Sequence, residues 1–421
     1  MPEWRNKLFI YAAMLFLLAL PFGGHIASPI LTVFALLWLI DSDWKSKFER
    51  IRKNRMLLLP ALLYVFYLTG MLITENTKSG YAQLETKLTL ILGPVIFSSI
   101  AFPEKFSKKK IFIAFITGCF IALLTCLAHS TYCFYDERWQ VAHGLLADTY
   151  TNYNFFYASL LSWLVHPSYF AMFLCLCIFY IFTQIFNNSD GYSPLQIRLL
   201  LVLNIVFSFF IFFLASRLGL GVMLLIWFGV IVYFILWRKM YLRGVIIFSA
   251  ILITFIFLYK TQPIIASRFD SVIETIRSKN IDKTTTESSS ARRLIWGVAS
   301  DIISENWLVG VGTGDVAPTL MSKYNEIGMT GAKEHNWNVH NQFLQTFMAI
   351  GLPGIVTLIA IFILPAYSAI KEKRYLFLAF LIIFGLNILV ESMFEAEDGV
   401  LFFIFFYTVL QRLSVKNSLN S

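Results

Sequence analysis

The chain has 421 residues, of which 58% are hydrophobic and 14% charged, with 42 phenylalanines and a formal net charge of +9. That composition excludes a water-soluble globular domain, because it leaves too little polar surface to cover so apolar a core. The basic balance does not point to nucleic acid either: Lys and Arg sit in short links between apolar runs, the pattern the positive-inside rule describes for membrane proteins.

Taken in order, the apolar runs predict about twelve transmembrane helices. They fall roughly at 8–22, 26–40, 57–73, 88–102, 111–130, 168–186, 199–215, 218–237, 244–259, 341–365, 376–391 and 400–411. Arg5 and Lys7 precede the first run as in a signal peptide. No small-residue cleavage pattern follows and further spans do, so the first helix reads as retained. Links after even spans carry the bases: Lys45, Lys47, Arg50, Arg52, Lys53 and Arg55, then Lys105 and Lys108 to Lys110. Arg198, then Arg238, Lys239 and Arg243, then Lys371, Lys373 and Arg374 continue the series. Links after odd spans are poor in Lys and Arg, apart from the long one. Both termini are therefore expected in the cytoplasm, with segments 131–167 and 260–340 on the outer face. Residues 1–421 read as a single integral membrane domain, all-α and polytopic, with a large, partly helical loop between spans nine and ten.

The five cysteines, Cys119, Cys126, Cys133, Cys175 and Cys177, lie in or beside apolar runs and read as small apolar residues. Asp41-Ser42-Asp43 mimics a metal-binding pair of carboxylates, but it lies on the cytoplasmic side beside Lys45. No metal and no cofactor is expected. In the long loop, Arg268 is followed by the polar string KTTTESSS, read as mobile. From Ala291 the run ARRLIWGVASDIISENW has apolar residues at helical spacing. The GVGTG after it imitates a nucleotide loop, yet no strand precedes it and no acidic partner follows, so it reads as a glycine turn.

Three spans re-enter the membrane from the outer face just behind a polar residue. One follows His166-Pro167-Ser168-Tyr169, with proline where a first helical turn tolerates it. Another follows Ser216-Arg217, and the third starts at His340-Asn341. Each helix N-terminus offers free N–H groups and the positive end of a dipole, so three converging ends would make an anion site at the outer edge of the bilayer. Arg217 interrupts a long apolar stretch, and a guanidinium there suits a diphosphate, because its planar fork binds two oxygens and stays charged. The plain alternative is an arginine snorkelling to headgroups. Arg292 and Arg293 open the amphipathic run, either as anion ligands or as solvated loop arginines. Glu391, Glu395, Glu397 and Asp398 crowd the outer turn between spans eleven and twelve. These side chains either bind sugar hydroxyls or orient His340, and for the last two a plain solvated turn is an equal alternative.

The stretch HNQFLQTFMAIGLPG, from His340 to Gly354, puts a titratable ring and an amide at the mouth of an apolar run that two glycines interrupt. If it is one helix, His340 and Gly351 are three whole turns apart on one face, about 16 Å along the axis, with Leu344 and Phe347 between them. That face either holds isoprene units or packs closely on a neighbour at the small residue, and close packing is the simpler reading. The spacing resembles the signature of bacterial O-antigen ligases: His, then Asn, Ser or Gln, nine residues, Gly, two residues, then Gly, Thr or Tyr. His340, Asn341, Gly351 and Gly354 meet it at every position. The family also resembles this chain in a basic residue shortly before a Trp, matched by Arg292, Arg293 and Trp296.

The resemblance implies a multi-pass inner-membrane glycosyltransferase with its active site facing the periplasm. It would move O-antigen from an undecaprenyl-diphosphate-linked donor to lipid A–core in lipopolysaccharide biosynthesis, embedded among membrane lipids. His340 would be the general base, with Arg217 and one of Arg292 and Arg293 stabilising the departing diphosphate. Asn341, His166, Tyr169, Trp296, Glu391 and Glu395 are the candidate substrate-binding residues, and Gly351 and Gly354 the structural ones. An O-antigen polymerase, which uses a second lipid-linked repeat as acceptor, shares much of the plan. A flippase or transporter of a lipid-linked glycan would also have about twelve spans. It should bury charges near the bilayer midplane in matched halves, and the two halves here show no correspondence.

Overall fold

The computed structural model describes residues 3–40, 43–53, 55–100, 107–142, 154–237, 239–242 and 282–415, with single positions between 245 and 270. Every regular element among them is helical. In chain order the helices are α1 (Glu3–Ala19), α2 (Gly24–Ile40), α3 (Trp44–Lys53), α4 (Leu59–Gly70), α5 (Thr77–Lys87), α6 (Thr89–Ser99) and α7 (Lys108–Ala142). Next come α8 (Ala158–Leu161), α9 (Pro167–Asn187), α10 (Pro194–Leu214), α11 (Arg217–Val232), α12 (Ser288–Asn306) and α13 (Val316–Ile327). The last four are α14 (Thr330–Glu334), α15 (Gln342–Lys371), α16 (Tyr375–Ile388) and α17 (Glu397–Val415).

Among the described residues, six helices are long and apolar enough to cross a bilayer: Arg55–Ile73, Lys108–Arg138, Pro167–Asn187, Pro194–Leu214, Arg217–Leu236 and Gln342–Lys371. The described residues are all-helical, and the chain is a multi-pass membrane protein. The expected count of twelve is not reached by length and apolarity. The runs at 8–22 and 376–391 form the shorter apolar helices Lys7–Phe22 and Tyr375–Ile388, and the run at 88–102 forms an 11-residue helix. Helices of that length fall short of the roughly 20 residues that a 30 Å hydrocarbon core requires. The expected ninth span, 244–259, lies outside the described residues apart from single positions, and Arg268, Asp41 and Ser42 lie outside them altogether. Asp43 is exposed and faces Arg50 at 4.0 Å.

The chain divides into two compact units, Met1–Ser42 with Ala101–Val230 and Asp43–Ile100 with Ile231–Ser421. In the first, α1 packs on α2 and α7, and α9 packs on α10 and α7. Helix α9 is buried on all sides from Phe170 to Ile178, as expected of a helix apolar around its whole circumference. Ser193 and Gln196 form a capping box at the start of α10, where Pro194 occupies the first turn.

In the second unit α4 packs along α15 and α6 along α17, and α16 joins α15 to α17. Phe384 and Phe403 lie 4.7 Å apart, and Phe394 packs on Phe403 at 5.2 Å. Phe394 is fully buried, so this aromatic cluster anchors the turn between α16 and α17.

Helix α15 is broken. Ile350 (φ −137°, ψ 18°) and Gly351 (φ 60°, ψ −153°) leave the helical region. The turn after α12 repairs the gap: Val311 N–H donates to Met348 O at 2.7 Å, Gly312 N–H to Ala349 O at 3.1 Å, and Leu352 N–H to Trp307 O at 2.9 Å. Pro353 follows and has no N–H to satisfy. The polar groups that the break frees are thus paired with one specific turn rather than left bare in an apolar setting. Contact is so close that a Cβ on Gly351 would stand 2.4 Å from Leu308 O, and one on Gly310 2.6 Å from Ala349 O. The GVGTG segment is therefore a glycine turn, as read, and its partner is the break in α15.

Candidate active site

Asn341 caps α15, its side-chain oxygen accepting from Leu344 N–H at 3.1 Å. His340 therefore precedes the helix rather than belonging to it. Its φ of +49° lies in the left-handed region, where an Asx-type bond from its own N–H to Asn338 Oδ1 at 2.9 Å holds it. This corrects the expectation of a single helical face from His340 to Gly351: the helix starts one residue after Asn341 and breaks before Gly351. The cap residue itself, Asn341, is extended and so lies outside the helix, and the glycine break removes the periodicity at the other end.

The turn after α16 carries Glu391, buried at 9% exposure. One carboxylate oxygen accepts from Arg292 Nη2 at 2.6 Å and the other lies 3.0 Å from His340 Nδ1. A buried carboxylate is tolerable here because two cationic or donor groups meet it. In the neutral ring this contact puts the proton on Nδ1 and leaves the Nε2 lone pair as acceptor. His340 is 23% exposed, so the ring is held yet reachable. Trp337 stands edge-on beside it, ring centroids 6.3 Å apart.

The surrounding residues fasten these three groups. Glu287 caps α12 by accepting from Ser289 and Ser290 N–H, so the end of the KTTTESSS string, read as mobile, begins a helix. Arg292 and Trp296 then lie one turn apart on the same face. Trp296 Nε1–H donates to Val339 O at 3.0 Å, which fixes the backbone just before His340. Arg293 sits on the exposed side of α12. Asn341 Nδ2–H donates to Leu389 O at 2.9 Å, and its backbone N–H donates to Ser392 Oγ at 3.2 Å. Asn341 thus ties the start of α15 to the Glu391 turn, and both ends of its side chain are engaged within the protein. Gln342 adds a second tie, its Oε1 accepting from Phe394 N–H at 2.6 Å.

Glu395 is paired at 2.9 Å with Lys87 at the end of α5, which is only 1% exposed. Lys87 also donates to Gln83 and lies 5.0 Å from the Tyr67 ring. Burial pushes the Lys87 ammonium below its ordinary range, and the Glu395 carboxylate opposes that shift. Sequence reasoning missed Lys87, Gln342 and Ser392. A lysine directly before an apolar run was the available signal for the first; the other two become visible only once the turn folds onto α15.

His166, Tyr169 and Arg217 belong to the first unit. His166 caps α9, its ring lies edge-on to Tyr169 at 5.9 Å, and Tyr169 is buried. Arg217 is the first residue of α11, with Ser216 Oγ accepting from Gly219 N–H at 3.1 Å. A Cβ on Gly219 would stand 2.4 Å from Ala171 Cβ, so the starts of α9 and α11 adjoin within this unit. His340, Asn341, Arg292, Arg293, Trp296, Glu391 and Glu395 belong to the second.

Residues 201–359 match the family model described as O-antigen ligase. The segment runs from α10 through the His340 signature, and over these residues the chain is similar to that family. No curated protein matches the chain.

Proposed function

We propose that the protein is a periplasm-facing inner-membrane glycosyltransferase. It would transfer an O-antigen glycan from undecaprenyl diphosphate to the terminal sugar of lipid A–core. The observation that carries this reading is the Glu391 carboxylate bridging His340 Nδ1 and Arg292, which frees Nε2 of His340 as a base. In the proposed step, Nε2 takes the proton of an acceptor hydroxyl as that oxygen attacks the anomeric carbon. The bond from that carbon to the diphosphate oxygen breaks, and the electron pair leaves with the diphosphate. A single displacement of this kind inverts the anomeric centre. General-base help of this type is worth roughly 10²–10⁴ in rate. Glu391 steadies the imidazolium that forms, the part an aspartate plays in a Ser-His-Asp triad. Within the same unit, one of Arg292 and Arg293 stabilises charge on the leaving diphosphate, and Arg292 also holds Glu391. That arginine supplies cationic charge of the kind a metal supplies in other transferases.

The test is His340→Ala in the native host, with lipopolysaccharide run on a gel beside an extract of lipid-linked glycan. Loss of the long ladder from the core, with long polymer accumulating on the carrier lipid, supports transfer to lipid A–core. Cores carrying a single repeat would assign the step to polymerisation instead. An unchanged ladder at normal protein level would remove His340 as the base.

A further inference from the structure

We infer that the turn Trp307-Leu308-Val309, within the long loop expected in the periplasm, is inserted into the hydrocarbon of the outer leaflet. Its side chains would touch lipid acyl chains there. Three consecutive large apolar residues are exposed at this turn: Trp307 at 53%, Leu308 at 53% and Val309 at 58%. In water such a tip would be an unfavourable patch.

Two independent rulers set its depth. On α15 the turn is bonded to Met348, Ala349 and Leu352, and Ile350 lies about 12 Å along the helix from its first residue. On α4, Thr313 Oγ1–H donates to Tyr67 O at 2.6 Å, six residues inside the end of the span Arg55–Ile73. Both helices are apolar enough to cross a bilayer, so the turn is level with the interior of two spans rather than with their ends.

The backbone meets the condition for lying at that depth, since Val311, Gly312, Trp307 and Leu308 exchange hydrogen bonds with the break in α15. Its exposed side chains also continue a lipid-facing stripe. Leu352, Val356, Ile359 and Ile363 are exposed at 39%, 56%, 40% and 60%, spaced as one face of α15. That stripe begins at Leu352, the residue whose N–H bonds Trp307 O. Polarity also grades along the chain: Glu305 is exposed two residues before Trp307, the residue type that favours the headgroup boundary. Leu308 and Val309 come next, deeper.

The occupant of this surface is the bilayer. Its consequence is mechanical: α12, which carries Arg292 and Trp296, is moored in the membrane at its C-terminal end, and so is held at a fixed height.

The experiment uses the full chain in vesicles of phosphatidylethanolamine and phosphatidylglycerol, with a nitroxide at Val309→Cys. Four native cysteines are buried, so only Cys133→Ser is needed as background. Collisional relaxation by oxygen is compared with that by a water-soluble nickel chelate, with Asp301→Cys on the exposed side of α12 as reference. The inference expects nickel collisions at position 309 several-fold below those at 301, and oxygen collisions above them. Equal nickel access at 309 and 301 would overturn it. Trp307→Cys reads the same surface should Val309→Cys fail to fold. The outcome does not depend on whether the His340 chemistry is as proposed.

Discussion

A carboxylate bonded to two partners is a demanding arrangement, and it yields a sharp test at Glu391. Glutamine in its place has one acceptor oxygen where the carboxylate has two. Either Arg292 or His340 Nδ1–H must then face an amide NH₂. If His340 faces it, the ring is driven to the tautomer with its proton on Nε2, and the base is lost. Glu391→Gln should therefore lower transfer by at least roughly 10²-fold at normal protein level, measured as initial rates with extracted lipid-linked glycan and rough lipopolysaccharide. The Lys87–Glu395 pair tests a different kind of contribution. Lys87→Met strands a largely buried carboxylate and should destabilise by about 3 kcal/mol, whereas the double variant Lys87→Met, Glu395→Met should recover most of that loss. Thermal unfolding in detergent reads both. Additive losses would show that the two residues are not coupled.

The signature glycines act at the scale of the element, and they are not equivalent. Gly351 has a backbone conformation that side chains rarely adopt, and a Cβ there would run into Leu308 O, a backbone atom of the turn that repairs the break. Gly354 has ordinary helical geometry, and the nearest atoms a Cβ there would meet belong to the side chains of Ile350 and Thr346, so that a shift of Ile350 is needed rather than of backbone. Gly351→Ala is therefore expected to cost about 3 kcal/mol or more, and Gly354→Ala about 1 kcal/mol, both read as shifts in thermal unfolding. A signature that requires Gly at the first position and accepts Thr or Tyr at the second agrees with that difference. Asn341 likewise acts on elements, since it caps α15 and fastens it to the Glu391 turn.

For the whole molecule, the proposed orientation puts the starts of α9, α11 and α15 at the outer face. Arg217→Cys and His340→Cys should then react with a membrane-impermeant thiol reagent added outside spheroplasts. Reaction only after the inner face is opened would reverse the topology, and with it the periplasmic assignment. The two residues lie in different compact units, so each reports its own unit.

The class of the molecule was legible in the sequence, because apolar runs and the placement of Lys and Arg are local and periodic quantities. The sequence also located the starts of α9 and α11, where proline and short polar residues cap helices by contacts within a few positions. The His340 signature was legible as a spacing. What the spacing meant was not: a helix drawn straight from His340 to Gly351 is the natural reading of an apolar run. Only the packing of Trp307–Gly312 onto Ile350–Gly351 shows why the helix must break. Which acidic residue meets His340, and which arginine meets that acid, was likewise open. Arg292, His340 and Glu391 are brought together from positions up to 99 residues apart by contacts of α12 with α15 and of α15 with α16. Lys87 arrives from still farther away. Hydrogen bonds and ion pairs of that range depend on where helices are packed, and no local pattern of residues encodes them.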